Sequence, residues 1–117
     1  MTGLTILLVA TDDDRLRAAL TLAISNAALG GRTRLYAHEG AVSALIPATA
    51  PAPALPAGQP GRADLLVMAQ DTGVELIACQ TGLAQAGIGI DQLVPGVVAG
   101  GLMGVLADLG TDRLITF

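Results

Sequence analysis

The sequence predicts an α/β domain of three layers, α/β/α, built around a mostly parallel sheet of four to five strands. Aliphatic runs of strand length alternate with segments whose apolar residues recur at spacings of three and four. The resulting order of strand, helix, strand, helix, strand, helix, strand is that of parallel strands joined by crossover helices. A length of 117 residues fits one domain with room for an aliphatic core.

Leu4 to Ala10 is nearly continuous in aliphatic residues, the pattern of a strand covered on both faces. It runs into Thr11-Asp12-Asp13-Asp14, whose side chains suit the start of a helix. From Arg15 onward Leu16, Ala19, Leu20, Ala23, Ile24 and Ala27 form one apolar stripe, which Gly30-Gly31 ends. Thr33 to Ala37 is the second strand, with His38-Glu39-Gly40 at its end and a weak helix expected over Ala41 to Ile46. Residues 47 to 61 hold five of the six prolines (Pro47, Pro51, Pro53, Pro56 and Pro60) among alanines and read as a surface loop within a single domain of residues 1–117. Ala63 to Thr72 is expected to be helical, with Gly73 as its cap, and Val74 to Ala78 is the third strand. Cys79 follows at once, and a short helix over Thr81 to Ala86 closes at Gly87. Asp91 to Gly96 makes a connection around Pro95. Val98, Leu102, Val105, Leu106 and Leu109 then mark a last helix ended by Gly110, and Asp112 to Phe117 is the final strand. A fifth strand has room near 41 to 46 or 93 to 98.

Composition narrows the function classes. Hydrophobic residues make up 52% of the chain and charged residues only 14%, too little polar surface to cover a monomer of this size, so a homo-oligomer is expected. Six arginines, no lysine and ten carboxylates give a net charge of −4. No basic stripe exists to neutralise phosphates or anionic lipid, which argues against nucleic acid and membrane partners. The amino-terminal residues lack the basic region of a secretory signal, and Leu93 to Ala107 is too short and too glycine-rich to span a bilayer. A cytoplasmic protein is therefore expected. With one cysteine, an internal disulfide, a CxxC redox pair and a multi-cysteine zinc site are all excluded, and no metal site or cofactor is expected.

In parallel sheets ligands gather at the carboxyl ends of the strands. Thr11-Asp12, His38-Glu39 and Cys79-Gln80 all fall at that edge, so Thr11, Asp12, His38 and Glu39 are expected neighbours of the cysteine. Cys79 stands between a strand and a helix, where unpaired backbone N–H groups and the helix dipole favour thiolate over thiol. The alternative is a structural cysteine that fills the core as a small hydrophobe. His38, the only histidine, is either a base for Cys79 or a strand-end residue bonded locally. The aspartate triplet is similar to the acidic cluster of a receiver domain. The chain has no lysine and no aspartate at the end of its third strand, so helix capping is the reading for Asp12 to Asp14. Gly100-Gly101-Leu102-Met103-Gly104 lacks the lysine of a phosphate loop, and close helix packing is expected to account for its glycines.

The segment Glu75-Leu76-Ile77-Ala78-Cys79-Gln80-Thr81-Gly82-Leu83-Ala84-Gln85-Ala86-Gly87-Ile88 resembles the cysteine motif of the DsrE/DsrF/TusD-like sulfur-relay family. The shared pattern is an apolar strand, Ala-Cys, a hydroxylated residue two positions on, and Gly-Ile closing a short helix. The amino-terminal strand, the helix ending Leu29-Gly30-Gly31, the strand ending at His38-Glu39-Gly40 and the terminal strand ending in Phe117 are similar to the family layout. The chain departs from it in having Gln85-Ala86 where a basic or larger residue is common, and His38-Glu39 where an aromatic-rich stretch is common.

The resemblance implies a cytoplasmic sulfur carrier or sulfurtransferase, assembled as an oligomer, in which Cys79 accepts sulfane sulfur and relays it as a persulfide. Sulfur donor and acceptor proteins, or low-molecular-weight persulfides, are the implied partners. Backbone N–H groups around Gln80, Thr81 and Gly82, with the Thr81 hydroxyl, are expected to stabilise the anion. The competing reading is a non-catalytic oligomeric scaffold or a ligand-binding α/β module in which Cys79 is structural.

Overall fold

A computed structural model describes residues 1–47 and 58–117. Most of the proline-rich segment expected as a surface loop lies outside the described residues. Five parallel strands, β1 (Leu4–Leu8), β2 (Thr33–Ala37), β3 (Glu75–Cys79), β4 (Val98–Gly100) and β5 (Arg113–Thr116), form one sheet in the order β4-β3-β2-β1-β5. The helices are α1 (Asp13–Ala28), α2 (Arg62–Asp71), α3 (Gln80–Ala86) and α4 (Leu102–Ala107).

The chain steps outward from β1 through β2 and β3 to β4, then returns past them to place β5 on the other side of β1. With right-handed crossovers, the outward steps put α1, α2 and α3 on one face, and the return step puts α4 alone on the other. Side-chain alternation matches the two environments. Leu4, Ile6, Leu8, Leu35, Leu76 and Ala78 turn to the first face and are buried with Leu16, Ala19, Leu20 and Ala23 of α1 and Leu65, Leu66 and Ala69 of α2. The small alanines on α1 let it lie close against a sheet made largely of leucine.

The second face is mixed. Thr5, Arg34, Tyr36, Ile77 and Cys79 share it, and all five are buried. Arg34 Nε and Nη2 donate to Thr5 Oγ1 at 3.1 and 2.9 Å, and Nη2 also donates to the Val105 carbonyl at 3.0 Å. Thr5 Oγ1 in turn donates to Asp112 Oδ2 at 3.0 Å, and Arg32 pairs with the same oxygen at 3.0 Å. These bonds satisfy a buried guanidinium and tie α4 and β5 to the two central strands.

Two expectations for the carboxyl-terminal third need correction. Val98 belongs to β4, the additional strand, rather than to the last helix, which spans only Leu102–Ala107. A three-residue edge strand carries too short a pattern to separate from the helical spacing that follows it. Gly101 and Gly104 face open space, so close helix packing does not explain them. The segment after β2 is a 3-10 helix over Glu39–Leu45, and β1 ends at Leu8, two residues before the aliphatic run does.

Candidate functional site

The site lies at the carboxyl end of β3. Strand β3 delivers Cys79 as its last residue, and Cys79 is also the N-cap of α3, its Sγ accepting a hydrogen bond from Gly82 N at 3.4 Å. Cysteine is an uncommon cap. Its place here ties the thiol directly to the backbone of the turn.

A second chain segment closes over the sulfur. Strand β2 ends at Ala37, and Glu39 then takes a left-handed conformation, φ +46°, the only non-glycine with positive φ among the described residues. This turn brings the Glu39 backbone onto α3. A Cβ on Gly82 would lie 2.7 Å from both Glu39 C and Glu39 Cα, so only glycine permits the approach. Gly87 ends α3 at φ +65°, the left-handed cap its position requires.

The approach gives the sulfur several donors. Burial, at 4% exposure, pushes the Cys79 thiol up. The pull of the nearby Tyr36 hydroxyl, the hydrogen bond from Gly82 N and the pull of the Glu39 and Thr81 N–H groups together outweigh burial and hold the thiol below its ordinary range. Tyr36 is affected in the opposite sense. Burial first, then its bond to Cys79 and the charges of Cys79 and Glu39, drive the phenol far above its usual value, so it stays protonated and remains a donor.

The sulfur lines a pocket of about 150 Å³ walled by Tyr36, His38, Glu39, Gln80, Thr81 and the Gly100–Leu102 segment that leaves β4. Gly100 itself packs against Ile77, where a Cβ would fall 2.9 Å from Cγ2. His38 and Tyr36 rings sit with centroids 5.8 Å apart, and His38 Nε2 lies 3.6 Å from Glu39 Oε1. His38 Nδ1 is buried and has no hydrogen-bond partner among the described residues. No cluster of metal-ligating side chains occurs among the described residues.

His38, Glu39, Gln80, Thr81 and Gly82 are thus gathered around Cys79, as expected from the sequence. Thr11 and Asp12 are not. Asp12 caps α1, accepting from Arg15 N at 3.1 Å and pairing with the Arg15 guanidinium. Strand β2 stands between β1 and β3, so the carboxyl ends of those two strands are about 10 Å apart. Sequence reasoning missed Tyr36, the Glu39 peptide and the Gly100–Leu102 wall. The available signal for Tyr36 was its position two residues before His38, which places both on the sheet face that carries Cys79.

The fold has close counterparts among solved structures. Over the whole of both chains it superposes on the crystal structure of the YchN protein from E. coli with a TM-score of 0.78 at 22% identity. A protein of unknown function from Methanobacterium thermoautotrophicum, MTH1491, superposes equally completely with a TM-score of 0.79 at 16% identity. No curated protein matches the sequence. The family model of the DsrE/DsrF-like proteins matches residues 5–117, from β1 to the last residue and through the cysteine turn. Fold and sequence pattern agree, and the chain belongs to the DsrE/DsrF-like family.

Proposed function

We propose that the protein is a sulfur carrier or sulfurtransferase that relays sulfane sulfur as a persulfide on Cys79. The observation that carries this reading is the seat of the only cysteine of the chain: its Sγ caps α3 by accepting from Gly82 N at 3.4 Å and opens on a pocket of about 150 Å³ walled by Tyr36, His38, Glu39 and Thr81. A structural cysteine has no need of a lowered pKa. A carrier does, because the thiolate is the attacking species and the persulfide it forms is an anion. Membership of a sulfur-relay-related family supports the same chemistry. Donor and acceptor are thiol persulfides, on proteins or on small molecules, and no internal resolving cysteine is required.

The working particle is a homo-oligomer in the cytoplasm. Short α4 leaves the two edges of its sheet face open, with Val98 exposed on β4 and Leu114 on β5, and Leu106 and Met103 exposed on the helix, Met103 at 87%. Val98 and Met103 flank the Gly100–Leu102 wall of the pocket along the chain, and a second copy is the proposed cover. No helix among the described residues is long and apolar enough to cross a membrane. Light scattering is expected to report more than one chain per particle, and Leu114→Glu with Met103→Glu is expected to shift it toward monomer.

The direct test is intact mass after incubation with a persulfide donor. Wild type gains sulfur that a reductant removes, and Cys79→Ser gains none. A wild-type protein that gains no reducible sulfur refutes the carrier reading.

A further inference from the structure

We propose that the free edge of β5 is a docking surface for a second copy of the chain, whose own β5 lies antiparallel to it across a two-fold axis at Ile115 and joins the two sheets into one. The contact adds to the cover proposed for the α4 face, which it adjoins at Leu114, and it does not depend on the carrier reading.

The edge offers a complete set of backbone partners. Strand β5 ends the sheet on one side, with β1 as its one neighbour among the described residues. The ladder to β1 uses alternate residues: Arg113 N donates to the Gly3 carbonyl and Phe117 N to the Leu7 carbonyl, each at 2.9 Å, and the Phe117 carbonyl accepts from Val9 N at 2.7 Å. Alternation turns the N–H and C=O of Leu114 and Thr116 the other way, off the sheet. Edges of this kind are ordinarily blunted by proline, by a bulge or by several charges. Strand β5 has no proline, keeps an unbroken register with β1 from Arg113 to Thr116, and carries one charge, Arg113.

Apolar side chains flank the edge on both faces. Leu114 is 44% exposed on the second face. On the first face Ile115 lines a groove of about 200 Å³ with Leu4, Leu22 and Leu29, and Leu29 is 67% exposed. An arriving strand finds hydrogen-bond partners and apolar cover together.

The residues of the strand favour its own copy as the occupant. Within β5 only Leu114 and Thr116 turn their backbone groups outward, so a two-fold pairing centred on Ile115 sets Leu114 opposite the partner's Thr116 and Thr116 opposite the partner's Leu114. Each pair exchanges both of its N–H···O bonds, and every outward group of the two strands is used. The same register sets Arg113 opposite the partner's Phe117, a cation against a ring rather than against a second arginine. Ile115 meets the partner's Ile115 where the two grooves join. Pairing β5 with the short edge strand β4 of another copy would repeat without closing, whereas the two-fold contact closes.

The register makes the test specific. On the full chain, with Cys79→Ser removing the native thiol, Ile115→Cys places two cysteines about 4.5 Å apart between Cα atoms, as a non-hydrogen-bonded pair, and Leu114→Cys places them about 9 Å apart. The first separation lies within disulfide reach and the second beyond it. After mild oxidation, Ile115→Cys is expected to give a covalent dimer on a non-reducing denaturing gel at about ten times the yield of Leu114→Cys. Equal yields, or no dimer from Ile115→Cys, overturn the proposal. Thr116→Pro gives a second measurement in the otherwise native chain, because its N–H faces off the sheet and proline there leaves the β1 ladder intact. Light scattering is expected to show a mass per particle about twofold lower, with unchanged circular dichroism. An unchanged mass overturns the edge contact while a homo-oligomer through the α4 face stands. A wild-type chain that is already monomeric overturns it as well, and the edge is then left to an extended peptide of another protein.

Discussion

Replacing Gly82 by alanine separates two physical effects that oppose each other. Gly82 is the third residue of α3, where alanine is the better helix former by about 1 kcal/mol. Propensity alone therefore predicts a more stable protein. The added methyl would press on three backbone atoms of Glu39, with C and Cα at 2.7 Å, and backbone cannot swing aside as a side chain can. Overpacking of this kind costs about 1–3 kcal/mol. With backbone as the neighbour the upper end applies, leaving a net loss of about 2 kcal/mol and a fall in Tm of roughly 8 °C for a domain of this size. The strain also displaces Gly82 N, whose 3.4 Å bond is the one that Sγ accepts. Losing one hydrogen bond to a charged acceptor costs about 1.5 kcal/mol, which reduces the thiolate fraction near neutral pH about tenfold. Thermal unfolding followed by circular dichroism reads the first effect, and the rate of iodoacetamide alkylation reads the second. A Gly82→Ala protein with raised Tm and unchanged alkylation rate would refute the account of how Glu39 is seated.

Other perturbations probe the same cradle and its supports. Tyr36→Phe removes a donor from Sγ and is expected to slow alkylation several-fold near neutral pH, about tenfold if the full charged hydrogen bond is lost. Because the Tyr36 phenol titrates far above its unfolded value, the folded protein holds that proton above about pH 10 while the unfolded chain gives it up. Stability therefore falls as pH rises beyond that point, by about 1.4 kcal/mol per pH unit, and Tyr36→Phe removes this slope in alkaline urea titrations. Cys79 has the opposite sign. Its lowered pKa contributes stability that is complete above the ordinary thiol range and lost as pH falls through the folded value, a dependence that Cys79→Ser abolishes. Arg34→Met leaves Thr5 Oγ1 and the Val105 carbonyl without their buried donor and is expected to cost about 3 kcal/mol in urea unfolding, with Asp112 keeping its bonds from Thr5 and Arg32.

The strands β1 and β3 were legible because nearly continuous aliphatic runs have one economical use in a covered parallel sheet, and α1 because its stripe spans four turns. Strand β4 was not, since Val98-Ala99-Gly100 has neither length nor alternation, and its pairing with β3 is decided by tertiary contact. Cys79, His38, Glu39, Gln80, Thr81 and Gly82 could be grouped from topology alone because β2 and β3 are neighbours. Thr11 and Asp12 were grouped with them by the same rule, and the strand order separates them. The Glu39 peptide lay beyond reading in principle. A glutamate at φ +46° carries no composition signal, and its role depends on an absent side chain forty-three residues later, at Gly82 (82 − 39 = 43).

The return of β5 to the side of β1 has a kinetic consequence. Central strand β1 acquires its second neighbour only from the last strand in chain order, and Thr5 meets Asp112 across a sequence separation of 107. Loop closure on that scale precedes any reward from pairing. A nascent chain therefore has β1 to β4 made before β5 is available, and until then one edge of β1 has no partner strand. That edge, flanked by Leu4, Ile6 and Leu8, is where self-association competes with folding, so the yield of native protein depends on how fast Asp112 finds Thr5.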